Sequence, residues 1–247
     1  MEQQKQDILE KQDIAQDQSL LTYGAIGVAI LIGFILIFKI FMSGKSKKPG
    51  KNLQKGKTIY LMGECGAGKT ALLYKLAGHS DIINTVSSID INETIVSVDN
   101  SNVPIIDIPG HNYTKTHYLK ELKYARVIII VVDATNQESF ANCASYLYNI
   151  LIQKEYQDRQ IPILLALNKS DAPKALKLAD FEHLFNKEME RVKKSKKAIN
   201  DESEDIDDYI KHQDQMFSIS ANGIDLIQCS VLNDDIDGVQ KFLQNKY

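Results

Sequence analysis

Residues 63–70 read Gly-Glu-Cys-Gly-Ala-Gly-Lys-Thr, and this order of side chains can hold phosphate. It fits the spacing GxxxxGK[ST], in which glycines let backbone N–H groups turn inward around anionic oxygens. Gly63, Glu64, Cys65, Gly66, Ala67 and Gly68 form the expected cradle. Lys69 is spaced to reach the β and γ phosphates, and Thr70 offers a hydroxyl to Mg²⁺, with Ala71 behind it. The start of a helix at this point adds a dipole that favours negative charge. A chance glycine-rich turn would lack the flanks seen here, an apolar KTIYLM before and a helix-forming TALLYKLA after.

A phosphate loop specifies a nucleoside triphosphate but not its base. Residues 168–171, Asn-Lys-Ser-Asp, supply the base. They follow the apolar run IPILLAL, so they lie where a strand ends. The Asp171 carboxylate can accept hydrogen bonds from the N1–H and the exocyclic amine of guanine. Adenine offers neither donor there, and the carboxylate would be left unpaired. Asn168 and Lys169 complete the motif. Between the two motifs lies Asp107-Ile108-Pro109-Gly110-His111. The Asp can hold Mg²⁺ through a water, and the Gly110 N–H can meet the γ phosphate. That contact exists only with the triphosphate, so the segment after it is a natural switch.

These loops need rigid elements beneath them. Short β-branched runs suggest strands at 58–62, 94–98, 104–108, 127–133, 161–167 and 225–229. Longer helical patterns occupy 69–77, 116–124, 138–155, 175–193 and 236–244. The run VIIIVVD is apolar on both faces, as a central parallel strand should be. Strands alternating with helices predict an α/β doubly wound sheet, with ligands beyond the carboxyl ends of its strands. One segment breaks the pattern. A basic ERVKKSKK at 190–197 precedes an acidic DESEDIDD at 201–208. Opposite charges in separate blocks suggest a solvated loop or frayed helix, or an interaction surface, in a charged insertion at about 190–215.

The stretch before the sheet has another character. From 20 to 38 there is no charged residue, about the length that spans a bilayer core. A buried core helix rarely stays apolar all round for so long, and a cleaved leader would begin basic and carry a shorter apolar run. The run therefore predicts a transmembrane helix at 20–42. Acids dominate residues 1–19, whereas Lys45, Lys47, Lys48, Lys51 and Lys55 follow the apolar run. Lysine-rich flanks stay cytosolic, so 1–19 is expected to be a short luminal tail. Residues 43–56 then form a basic linker near lipid headgroups, and 57–247 the cytosolic domain. The chain has 247 residues, a net charge of -3 and three cysteines. No large basic field points to nucleic acid, and widely spaced cysteines fit free thiols in a reducing compartment.

The set GxxxxGKT, DxPGH and NKxD, in this order, resembles small GTPases of the Arf-like branch. With a span before the phosphate loop, the chain is similar to the beta subunits of the signal recognition particle receptor. The resemblance implies a P-loop GTPase (Ras/Arf-like) fold: a mostly parallel six-stranded sheet with five helices. It implies GTP and Mg²⁺ as ligands and the receptor alpha subunit as partner in a heterodimer at the endoplasmic reticulum membrane. Ribosomes with nascent chains and the translocation machinery would be met indirectly. A switch hydroxyl is expected in Asn84-Thr85-Val86-Ser87-Ser88-Ile89, with Thr85 the first choice, also as a metal ligand, and Ser87 the second. The last guanine loop has two candidates. Ser220-Ala221-Asn222 fits better by letters, but Cys229-Ser230-Val231 has the expected strand before it and helix after it. Ser230 and Val231 are taken, with the Val231 N–H facing the base. His111 stands where Ras-like proteins carry glutamine. It is either a catalytic group or the end of a switch in a protein that hydrolyses GTP slowly. The alternative function is an anchored Arf-like regulator of vesicle traffic. Such a protein would carry a glycine where this chain has Glu2.

Overall fold

Six runs pair into one sheet, the inner ones buried on both faces and the two edge strands only in part. They are β1 (Thr58–Gly63), β2 (Asn92–Val98), β3 (Ser101–Asp107), β4 (Ala125–Asp133), β5 (Ile163–Asn168) and β6 (Asp225–Gln228). The helices are α1 (Lys69–Leu76), α2 (Phe140–Leu151), α3 (Lys154–Arg159), α4 (Leu178–Asn200) and α5 (Asp237–Lys246). The structure, a computed structural model, describes residues 33, 55–79, 92–110, 119, 122–200 and 218–247. All but Gly33 fall in the second of two units, Met1–Ser46 and Lys47–Tyr247. The sheet order is β2-β3-β1-β4-β5-β6. Only β2 runs antiparallel, paired with β3. The two are joined across Asp99 and Asn100, both at positive φ, as a two-residue hairpin turn requires.

Side-chain alternation along β4 divides the core in two. Ile128, Ile130 and Val132 point to one face, with Tyr60, Met62, Leu165 and Leu167. There they meet Phe140, Leu147 and Leu151 of α2 and Phe181, Phe185 and Met189 of α4. Val127, Ile129 and Val131 point to the other face, against Leu72 and Leu73 of α1 and Val239, Phe242 and Leu243 of α5. A strand covered on both sides has no use for polar positions, which is why VIIIVVD is continuous.

Two expected helices differ in extent. The pattern over 138–155 resolves into a 3-10 turn at Gln137–Ser139, then α2, then α3. The break lies at Gln153, whose backbone is extended. Its side-chain amide donates to the Asn149 carbonyl at 3.0 Å, and its own carbonyl accepts from the N–H of Tyr156 and Gln157. Gln153 thus closes one helix and opens the next, a role its residue type does not advertise. Helix α4 continues to Asn200, through the basic block read from sequence as a loop or frayed helix. Phe181, Phe185 and Met189 pin one face of it at four-residue spacing. Lysines near its carboxyl end complement the helix dipole and are good helix formers. The helix expected at 116–124 is described only at Leu119 and as a 3-10 turn at Leu122–Tyr124. Apart from Gly33, the expected span at 20–42 lies outside the described residues. Among those described, no helix is long and apolar enough to cross a membrane.

At the amino ends of the strands, polar contacts lash neighbouring segments together. Arg159 donates to the carbonyls of Leu122, Lys123 and Ala125. The Tyr247 hydroxyl donates to the Lys57 carbonyl at 2.6 Å, and Arg126 donates to the carbonyls of Lys246 and Tyr247.

The packing between α2 and α4 includes an aromatic cluster. The Phe181 ring lies 5.0 Å from Phe140, edge to face, and 5.1 Å from Phe185. Phe181→Ala should therefore cost about 3–5 kcal/mol of stability. The chain has 11 tyrosines and no tryptophan, so urea unfolding followed by tyrosine fluorescence reads the loss.

Candidate functional site

Four parallel strands deliver their last residues to one edge of the sheet. Gly63 ends β1, Asp107 ends β3, Asp133 ends β4 and Asn168 ends β5. Asp133 pairs with Asn168 in the ladder, and Asn92, which opens β2, pairs with Asp107. The loop from β1 into α1 crosses this edge. Gly68 has φ 95°, and a Cβ there would stand 2.3 Å from Asn168 Nδ2. At Gly110 a Cβ would come within 2.5 Å of the Cys65 backbone nitrogen. Both glycines are therefore required by contact between the three motifs. Lys69 is buried, and its ammonium bridges the loop to the Glu64 carbonyl at 2.8 Å. Helix α1 opens without a side-chain cap and without an acid in its first turn. Its first N–H groups and its dipole suit an anion.

Behind the loop, the Thr70 hydroxyl donates to Asp107 Oδ2 at 2.5 Å. The Asn92 amide approaches the same oxygen at 3.4 Å. Asp107 is fully buried, and its Oδ1 has no hydrogen-bond partner. Burial raises its carboxyl above the usual range, opposed by the Thr70 bond, the Lys69 charge and Asn92. A buried carboxylate oxygen with an open lone pair, next to a hydroxyl, is a donor set that fits a hard cation such as Mg²⁺.

Asn168 joins the phosphate loop to the last loop of the sheet. Its Nδ2 donates to the Ala67 carbonyl at 2.9 Å, and its Oδ1 accepts the Val231 N–H at 3.1 Å. Lys169 has φ 63° and forms an ion pair with Asp133 at 2.5 Å. Burial would lift the Asp133 carboxyl, but Lys169 and two bonds from Thr135 overcome it and hold it below its usual range. Asp171 accepts the Ser230 hydroxyl at 2.5 Å, and Ser230 in turn accepts the Asn233 N–H. Burial pushes the neighbouring Cys229 thiol up to about 12, with Asp235 adding to the shift, so it packs as a neutral side chain.

Gly63 to Ala71, Asp107, Gly110, Asn168, Lys169, Asp171, Ser230 and Val231 are thus gathered at one edge. Ser220, Ala221 and Asn222 are not among them; they form a 3-10 turn ahead of β6. Thr85, Ser87 and His111 lie outside the described residues. Three contributors were missed from sequence. Asp133 carried a signal, as the acid that closes VIIIVVD. Asn92 and Tyr146, whose hydroxyl donates to Glu64 at 2.5 Å, carried none, because their contacts cross 15 and 82 residues.

The sheet order with one antiparallel edge strand, and a phosphate-loop motif between β1 and α1, define a small-GTPase fold. The sequence profile of the signal recognition particle receptor beta subunit family matches residues 54–226, and the chain belongs to this family. The signal recognition particle receptor subunit beta of Dictyostelium discoideum is 31% identical over 178 residues, 68% of this chain and 61% of that protein. The chain therefore spans less than two thirds of that relative's length. A solved structure of the mammalian SRP receptor superposes with a TM-score of 0.64 at 23% identity, over 77% of this chain and all of that one. The SRb-GTP/SRX complex from Chaetomium thermophilum gives 0.59 at 18% identity, over 78% and 99%. At these identities the structural likeness concerns the fold.

Replacing Asn168 by Ala would strand the Ala67 carbonyl and the Val231 N–H in a site where Asn168 is only 2% exposed. The expected loss is roughly 2–4 kcal/mol, read as a lowered urea midpoint at unchanged slope.

Proposed function

We propose that the chain binds GTP and serves as the membrane-anchored beta subunit of a signal recognition particle receptor. In this reading it holds the receptor alpha subunit at the endoplasmic reticulum for co-translational targeting. The observation that carries it is the Asn168 bridge, which joins the phosphate loop to the loop of Ser230 and Val231, where Ser230 in turn holds Asp171. Family membership supports it, as does a relative described in complex with GTP and SRX.

The residues divide the work. The N–H groups of 63–70 and the Lys69 ammonium take the phosphates. Asp171, oriented through Ser230, reads the base by accepting from guanine donors. Lys169, fixed by Asp133, stands beside it. Thr70 and Asp107 would hold Mg²⁺, which supplies positive charge to the triphosphate. Gly110 is pressed against Cys65 of the phosphate loop, and its N–H would meet the γ phosphate. Only the triphosphate rewards that contact, so a partner reading the segment after Gly110 gains affinity for one state. With His111 at its head, that state is expected to persist through slow hydrolysis. The span at 20–42 supplies the anchor.

Two measurements test this. Asp171→Asn should lose GTP affinity by more than tenfold and gain xanthosine triphosphate, whose exocyclic oxygen needs a donor; an unchanged GTP preference in competition binding removes the base assignment. Solubilised protein loaded with a non-hydrolysable GTP analogue should retain the receptor alpha subunit in a pull-down. The GDP-loaded protein should not. Equal recovery from both would make the nucleotide structural and end the switch reading.

A further inference from the structure

The phosphate loop contains an acid. Glu64 is its second residue, and its backbone carbonyl accepts from both Lys69 and the Ala67 N–H. A carboxylate on a loop whose N–H groups are arranged for anions sets two like charges against each other. It also offers those N–H groups an anion of their own. The structure shows where the carboxylate goes instead. Its Oε1 accepts the Tyr146 hydroxyl at 2.5 Å. Tyr146 belongs to α2, which packs on one face of the sheet, whereas α1, which opens directly after the phosphate loop, packs on the other. Helix α2 is a firm support: Cys143, Leu147 and Ile150, on either side of Tyr146, are fully buried. The Tyr146 ring is itself only 9% exposed, so its hydroxyl has little freedom to point elsewhere.

We propose that Tyr146 is a positioning residue for the phosphate site: its hydroxyl holds the Glu64 carboxylate on the α2 side of the loop and keeps it from competing with phosphate. The inference rests on the nucleotide reading above and adds a residue and a mechanism to it. Removing the hydroxyl weakens the hold on the carboxylate, which then competes with phosphate for the loop N–H groups. Ligands with more phosphate charge lose more by this.

The test is a four-way comparison of the full-length chain in detergent: wild type, Tyr146→Phe, Glu64→Gln and the double variant. Affinities for GDP and for a non-hydrolysable GTP analogue are measured by titration at low and high salt. Tyr146→Phe removes one oxygen and keeps the ring, and thermal unfolding of each variant checks that the fold is retained. The hydroxyl variant should bind the GTP analogue roughly tenfold more weakly and GDP less so, with the defect shrinking at high salt. Glu64→Gln should bind somewhat more tightly than wild type at low salt, and the double variant should match it. If Tyr146→Phe caused the same loss in the wild type and in the Glu64→Gln background, the hydroxyl would only brace α2, and the proposal would be overturned. So would the absence of any loss, provided that the wild type binds. Wild-type protein that takes up no guanine nucleotide would instead overturn the nucleotide reading itself, and this inference with it.

Discussion

The side-chain amide of Asn168 ties together the loops of the candidate site. It donates to a carbonyl 101 residues away in one direction and accepts from an N–H 63 residues away in the other. Both bonds are buried, so neither partner can turn to water as a substitute. The backbone carbonyl of the same residue takes the Ala134 N–H, which ties in the end of β4. Three loops from three strand ends are thus referenced to one residue. Neighbouring features make sense once this is in place. Gly68 lacks a side chain because that amide fills the space, and Lys169 enters the left-handed region to turn the chain away from the amide toward Asp133.

The edge is also where the fold tolerates imperfection. Asp107 is buried with one oxygen unpaired, next to a hydroxyl and a buried lysine. Nothing in the packing of the sheet needs an acid there; Ile105 and Ile106, before it, are simple core residues. A buried carboxyl raised above its normal range is a standing cost to the folded chain, and such costs persist where a ligand is to be held. The two faces of the sheet show the opposite character: continuous apolar packing of the kind that supplies stability.

How much of this the sequence revealed depended on the range of the signal. The residues of 63–70 and 168–171 are contiguous, so their spacing could be read directly. Choosing Ser230 over Ser220 needed more than letters, namely that the loop must follow a strand and precede a helix; Ser230 lies between β6 and α5, and its hydroxyl donates to Asp171. Strand positions were legible because parallel strands buried on both faces leave unbroken apolar runs. Helix limits were less so. Gln153 breaks a helix through its backbone while remaining an ordinary helix former by type. The lysines of 193–197 looked like a solvated run, yet α4 passes through them because its buried face had already fixed its direction. Asn92 and Tyr146 act on groups distant in sequence, and only the folded chain brings them there.

The clamp of Tyr247 and Arg126 on the start of β1 bears on how the domain responds to load. Residue 57 enters the sheet at the amino end of β1, which lies between β3 and β4 with both neighbours parallel to it. Tension arriving along that strand would shear two ladders at once instead of peeling one bond at a time, and the Tyr247 hydroxyl shares the first of the strain. The phosphate loop sits at the far end of the same strand, beyond the bonds that would have to fail first. A domain tethered and tugged through residue 57 would keep the carboxyl edge of its sheet in register while the opposite pole absorbs the force.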